Sequence, residues 1–247
     1  MHISKLGYTS DHVWRTINHS SGFSGFTWNL LEKCHDANHR RGHTNNPFGC
    51  NENLEEYISR KKRQIDELEE LCIGRDFGCL QEVDFLTVES LKEYFINMLQ
   101  RVNFDYVYYE TKELMVIHKK SLIPTQISYY YKTNNKYTLL MVDFGDLRIG
   151  SIHCNYNEDY DTKILKGSTL TIVGGDMNHP PGYGIDFLVL DKNDPTNFFI
   201  SNGEIQLHDN RCGLIKAYDG FIISEGTATI SGAHTWVIQD TICVKKI

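Results

Sequence analysis

The chain has 247 residues, 40% of them hydrophobic and 23% charged, with a formal net charge of −7. A chain of this length and composition can bury a sizeable core without covalent staples. Its acidic balance argues against a broad electrostatic nucleic-acid surface, though not against a phosphate substrate met through a metal ion in an acidic cleft. The seven cysteines (34, 50, 72, 79, 154, 212 and 243) are odd in number and include no CxxC pair. They read as free thiols suited to a reducing compartment. "MHISKLGYTSDHVW" lacks the apolar core of a secretory signal, and no apolar run reaches membrane-spanning length. A cytoplasmic monomer is therefore expected, or a protein exported by a route that leaves no such signature.

In chain order, "GFTWNLL" sets Asn29 in an otherwise apolar strand. Residues 35–53 are polar and Asn-rich and read as a loop. Cys34, His35, His39, His43 and Cys50 could bind zinc if the three histidines shared a helix face, but Gly42 and the asparagines argue against that helix. A substrate-edge loop is expected instead, with "HRRGH" meeting phosphate. Residues 54–72 form the next element, an amphipathic helix with Leu54, Ile58, Ile65, Leu68 and Cys72 on its apolar face. Its basic run "RKKR", 60–63, is surrounded by acids and is expected to form a solvated, charge-balanced face.

"FGCLQEVDF" is a short strand ending at Glu82, and "VESLKEYFINMLQRV" a second helix, packed through Val88, Leu91, Phe95, Met98 and Val102. "KELMVIHKK" opens a strand with Glu113. "YTLLMVDF" and "LRIGSIHCNY" are joined at Gly145-Asp146, a hairpin signal. The second of them buries His153, with Asn155 two residues on. In "TLTIVGGDMNHPPG" a buried strand meets Gly174 and Gly175, which are expected to permit angles that a Cβ would resist. Pro180 and Pro181 stiffen the loop beyond them. Asp176 and Asn178 thus stand at a rigid strand end, where α/β proteins tend to place ligands. "KAYDGFIIS" reads as a strand carrying Asp219, and "HTWVIQDTICV" as the last strand, beginning at His234. Helices early and strands throughout fit one α+β or layered α/β domain over 1–247.

The polar residues at these strand ends, in this order, resemble the endonuclease/exonuclease/phosphatase superfamily, with its deoxyribonuclease I-like fold. "LQE", "GGDMN" and "AYDGF" carry the likeness, which spans Phe26 to Val244. The resemblance implies an α/β four-layer sandwich: two packed, mostly antiparallel sheets with helices on the outer faces. It also implies a phosphoesterase. A phosphodiester repels an attacking hydroxide, so the site must bring a cation, activate a water and stabilise charge in the transition state.

By that resemblance Glu82 and Asn29 hold Mg²⁺ or Mn²⁺, a hard-oxygen pair for a cation that keeps several waters. Asp176 orients the attacking water, and Asn178 bonds a phosphoryl oxygen. Glu113 orients His153 and Asp219 orients His234, in two His–carboxylate dyads. His153 and Asn155 join Asn178 in substrate binding. The terminal motif departs from the pattern: it reads "ISGAH", with Ala233 where the family has an Asp. The metal is then held by fewer carboxylates, or Asp209 or Asp240 substitutes, or binding survives without turnover; an active enzyme is the expectation. Asp84 stands where pancreatic-type members carry a basic residue that reaches DNA. The leading expectation is a metal-dependent nuclease acting on DNA or RNA. The alternatives are an inositol-phosphate or phosphoinositide phosphatase, a sphingomyelinase-like lipid phosphoesterase, and a binding module without turnover.

Overall fold

The computed structural model describes residues 14–19, 24–30, 32, 53–131, 137–154, 170–176, 197–199, 213–218, 221–225 and 240–245. Seven strands form the first sheet: β1 (Arg15–His19), β2 (Ser24–Asn29), β3 (Phe77–Gln81), β4 (Phe104–Tyr109), β5 (Leu114–Lys119), β11 (Gly213–Tyr218) and β12 (Phe221–Glu225). Their order is β11-β12-β1-β2-β3-β5-β4. The second sheet holds β6 (Gln126–Tyr131), β7 (Tyr137–Asp143), β8 (Leu147–Cys154), β9 (Leu170–Asp176), β10 (Asn197–Phe199) and β13 (Asp240–Lys245), in the order β10-β13-β9-β8-β7-β6. Among the described pairs only β2 with β3 and β8 with β9 run parallel. Two helices, α1 (Leu54–Cys72) and α2 (Glu89–Val102), complete the described elements, apart from two short 3-10 turns.

The alternation of side chains along the first sheet builds two cores at once. Phe26 and Trp28 of β2, Leu80 of β3, and Met115 and Ile117 of β5 meet Ile65 and Leu68 of α1 and Phe95 and Met98 of α2. Their neighbours Phe77, Cys79, Leu114 and Val116 face the other way, onto Leu140, Val142, Ile149 and Ile172 of the second sheet. Helix, sheet and sheet are three of the four expected layers; a helix on the outer face of the second sheet would fall outside the described residues. None of the described helices is long and apolar enough to cross a membrane. Cys72 and Cys79 are buried free thiols.

Both helix spans agree with the sequence reading, and α1 opens on a capping box between Asn53 and Glu56. The hairpin at Gly145 is also present, with φ +81 at the glycine and Asp143 opposite Arg148. Two expectations need correction. "KAYDGFIIS" is not one strand: β11 and β12 pair antiparallel, with Tyr218 opposite Phe221, so residues 219 and 220 connect them. And β9 does not stop at its glycines. It runs on to Asp176, paired on both sides.

Space, not backbone freedom, selects Gly174 and Gly175. A Cβ on Gly174 would come within 2.8 Å of Thr27 Cβ and 3.1 Å of Cys79 Cβ in the facing sheet. One on Gly175 would fall on the Ile152 carbonyl of the adjacent strand. Gly175→Ala is therefore expected to destabilise the protein by about 1–3 kcal/mol, the scale of an overpacked core. Urea unfolding of the variant beside the wild type measures this, and equal midpoints would refute the steric reading.

Candidate active site

The two parallel strand pairs end at the same end of the sandwich. Asn29 lies beside Gln81 at the close of β2 and β3, and His153 beside Asp176 near the close of β8 and β9. A buried polar tie locks the two sheets together there. Gln81 Nε2 donates to Ser151 Oγ at 2.9 Å and to Thr27 Oγ1 at 3.3 Å, and Ser151 Oγ donates to the Leu80 carbonyl at 2.8 Å. His153 lies two residues beyond Ser151 and shares its face. The tie therefore delivers the imidazole to the residue after Gln81, which is Glu82.

Glu82 is the centre of the described site. Its backbone is left-handed, φ 54, a conformation that few non-glycine residues adopt and that costs about 1–3 kcal/mol. The turned backbone aims the carboxylate at donors from one short segment. Asn29 Nδ2 donates to Oε1 at 2.9 Å, and the Glu32 backbone N–H donates to Oε2 at 2.8 Å. His153 Nε2 stands 3.8 Å from Oε1, within ion-pair range when the ring is protonated. Asn29 is fully buried, whereas Glu82 and His153 are partly exposed.

Glu113 shares this end of the first sheet. It too is left-handed, φ 52, and its carbonyl accepts the Val83 N–H at 2.9 Å. Burial, then the carboxylates of Glu32, Asp84 and Glu82, push its carboxyl up to about 7, against a smaller opposing pull from Lys61. Among the described residues those acids and Lys61 are the charges that act on Glu113, and the carboxylate at 3.8 Å from His153 is that of Glu82.

The basic run of α1 is not a solvated face. Arg60 and Lys61 are 0% exposed, because they and Gln64 lie on the stripe that also carries Tyr57, Ile65 and Leu68 toward the sheet. Three donors converge on one carbonyl, that of Leu30: Gln64 Nε2 at 2.6 Å, Lys61 Nζ at 3.0 Å and Arg60 Nη1 at 3.3 Å. Arg60 Nη2 also donates to the Glu32 carbonyl at 3.1 Å. Lys61 pairs with Asp84 Oδ1 at 2.9 Å; burial draws its ammonium down to about 8, with Asp84 pulling the other way. Asp84 is thereby bound to the protein's own lysine.

Asn155, Asn178, Asp219, Ala233 and His234 lie outside the described residues, as do the histidines and cysteines of 33–52. Asp176 and Asp240 are described by backbone alone. They are register partners across β9 and β13, so Asp240 begins its strand beside the carboxylate-bearing end of β9. The sequence does not mark Gln81, Ser151, Arg60, Lys61 or Gln64 as site residues. Its one signal among them is the "Q" before Glu82, as part of the "LQE" motif. Among the described residues no three His, Cys, Asp or Glu side chains group to hold a metal. The donor set at Glu82 nonetheless suits a hard cation: carboxylate oxygens with one N–H each, an amide beside them, and an excess of negative charge.

The chain thus has a two-sheet α/β sandwich, with polar residues gathered at one end of both sheets. Solved structures similar to it include the catalytic domain of human Nocturnin with bound sulfate anion, at 12% identity over 94% of this chain and 93% of that one, TM-score 0.45. Caenorhabditis elegans TDP2 matches at 13% identity over 78% and 69%, TM-score 0.37. The endonuclease domain of TRAS1, a telomere-specific non-LTR retrotransposon, matches at 7% identity over 91% and 98%, TM-score 0.32. No protein-family model and no curated protein sequence matches the chain.

The raised carboxyl of Glu113 has a consequence for stability. Its ordinary value is 4.5, and in the fold it is about 7. Between these values the unfolded chain has released a proton that the folded chain keeps, so Glu113 makes stability fall as pH rises through that window. Glu113→Gln is expected to flatten this slope. Urea unfolding across the window in the presence of a chelator measures it, and an unchanged slope would assign the titration to another group.

Proposed function

We propose that the protein is a metal-dependent phosphodiesterase, a nuclease that cleaves DNA or RNA. The observation that carries this reading is the Glu82 carboxylate, gripped on both oxygens by Asn29 and the Glu32 amide with the His153 ring 3.8 Å away, at the joint end of two sheets. A carboxylate held this firmly needs no reorganisation when charge changes beside it. Glu82 and Asn29 would hold Mg²⁺ or Mn²⁺, which supplies positive charge for the anionic substrate and its transition state. His153 donates its Nε2 proton to a phosphate oxygen, with the Glu82 carboxylate 3.8 Å from that nitrogen. Asp176, the register neighbour of His153, orients the attacking water. Asn155 and Asn178 bond phosphate oxygens. Glu113 would orient His153, and Asp219 would orient His234, each as a carboxylate partner of its imidazole.

A nucleic-acid substrate is favoured over a lipid headgroup by an aromatic pair near the same end. The Tyr109 and Tyr129 rings meet at 4.7 Å across the sheet edges, and Tyr129 is 51% exposed, which suits a stacked base. Tyr109 pairs with Leu114, the residue after Glu113.

Purified protein incubated with single-stranded DNA and RNA oligonucleotides is expected to shorten them in Mn²⁺ or Mg²⁺ and not in chelator. Glu82→Gln should lower kcat by roughly a hundredfold or more, the scale for losing one preorganised electrostatic group. Inertness of the folded wild type would favour a binding module. Release of inorganic phosphate from an inositol phosphate, with oligonucleotides untouched, would favour the phosphomonoesterase.

The Ala233 departure is tested at the same site. Asp240, beginning β13 opposite Asp176, supports the view that a second acid substitutes for the missing carboxylate. Asp240→Asn is expected to raise the Mn²⁺ concentration needed for half-maximal rate, while Ala233→Asp leaves it unchanged. A lower midpoint in Ala233→Asp together with no change in Asp240→Asn would reverse the assignment.

A further inference from the structure

The Lys61 side chain is out of proportion to any packing role. A buried ammonium is costly, and an aliphatic side chain would fill the same slot on α1 without that cost. Lys61 is instead fully buried against the Tyr57 and Phe85 rings, with Arg60 beside it and Gln64 one turn on. All three reach one backbone oxygen, that of Leu30. Leu30 is the residue directly after Asn29, and its own N–H donates to the Gln81 carbonyl at 2.9 Å. Two residues on, the Glu32 carbonyl takes Arg60 and the Glu32 N–H holds Glu82. The segment that grips Glu82 is thus itself gripped from behind by α1. Lys61 adds a second anchor on the far side of Glu82, because Asp84 lies two residues past Glu82 and pairs with the same Nζ.

We propose that Lys61 is a positioning residue for the phosphodiesterase site: by binding the Leu30 carbonyl and the Asp84 carboxylate at one nitrogen, it sets the pose in which Asn29 and the Glu32 amide hold Glu82. This rests on the phosphodiesterase reading above and deepens it. Lys61 touches no substrate; it acts through the two chain segments on either side of Glu82. Groups that orient a metal-binding carboxylate from behind control activity without contacting the reacting atoms. The arrangement also separates two jobs that one charge could do. Neutralising Asp84 needs only a cation somewhere near it, whereas holding Leu30 needs a donor at this nitrogen.

Two variants of the full chain separate those jobs. Lys61→Met keeps an unbranched side chain, one atom shorter, but strands Asp84. Lys61→Met/Asp84→Asn removes both charges, leaves the net charge unchanged and relieves the stranded carboxylate. Thermal unfolding, Mn²⁺ affinity by electron paramagnetic resonance, and kcat and KM on a single-stranded oligonucleotide are read for each. In Lys61→Met both Tm and kcat are expected to fall, kcat by about ten- to a hundredfold with KM little changed, the usual scale for a lost orienting partner. In the double variant Tm should return toward the wild type while kcat stays low. Because the field at Glu82 is balanced in the double variant, a matching fall in its Mn²⁺ affinity reports lost geometry. Recovery of kcat together with Tm would overturn the proposal and leave Lys61 as a counter-charge only, and so would wild-type kcat in the folded double variant. If Lys61→Met does not fold, the double variant decides alone. A wild type that neither turns over nor binds Mn²⁺ would remove the phosphodiesterase reading, and this proposal with it. An active wild type beside an equally active double variant would remove this proposal alone.

Discussion

A carboxylate can stand at the seam of two sheets only if donors meet its oxygens, and the arrangement around Glu82 is a consequence of that requirement. The Glu82 backbone turns left-handed to bring the group into reach. Asn29 and the Glu32 amide close on it, and the carbonyls of that same segment then need donors of their own. Helix α1 supplies them from Arg60, Lys61 and Gln64. The grip runs outward from one anionic group, through a strand end, to a helix thirty residues further along the chain. The sheet seam is fixed by the same logic, with the Gln81 amide donating to hydroxyls of both sheets.

Among the described residues the charge at this end is unbalanced. Glu32, Glu82, Asp84 and Glu113 share one neighbourhood, and Lys61 opposes them from within the core. The Glu113 carboxyl is raised first by its burial and then by that excess. A site with surplus negative charge and a proton held near neutrality attracts cations and repels a bare phosphate, which is the electrostatic setting of the function proposed above.

Much of the scaffold was legible because it rests on local signals. The span of α1 comes from a 3.6-residue apolar period, and the β7–β8 turn from Gly145-Asp146. Asn29, Glu82 and His153 stood out as polar residues in apolar runs, and the fold gathers them. The features that the sequence could not disclose depend on partners far along the chain. "RKKR" looks solvated because acids flank it locally, whereas the group that buries Arg60 and Lys61 is a backbone oxygen at Leu30. Gly174 and Gly175 look like residues chosen for their backbone angles, but their constraint comes from Thr27, Cys79 and Ile152. No composition rule distinguishes a serine that bridges two sheets, such as Ser151, from one that faces water. The pairing of Asp240 with Asp176 is a matter of register, invisible until both strands are placed.

The order of strands in the first sheet bears on how the protein is made. β1, near residue 15, lies between β2 and β12, and β12 ends at Glu225. A ribosome therefore releases β1 long before its second neighbour exists. Throughout that interval the growing sheet presents an open edge with unpaired backbone groups, the template on which foreign strands assemble. The late hairpin β11–β12 is thus a closing element as well as a part of the sheet. Chains cut short before it emerges would retain both helices, the Glu82 grip and most of the core, yet carry an adhesive flank. For this topology, quality control in the cell falls on the last stretch of translation, when nearly everything that looks native has already formed.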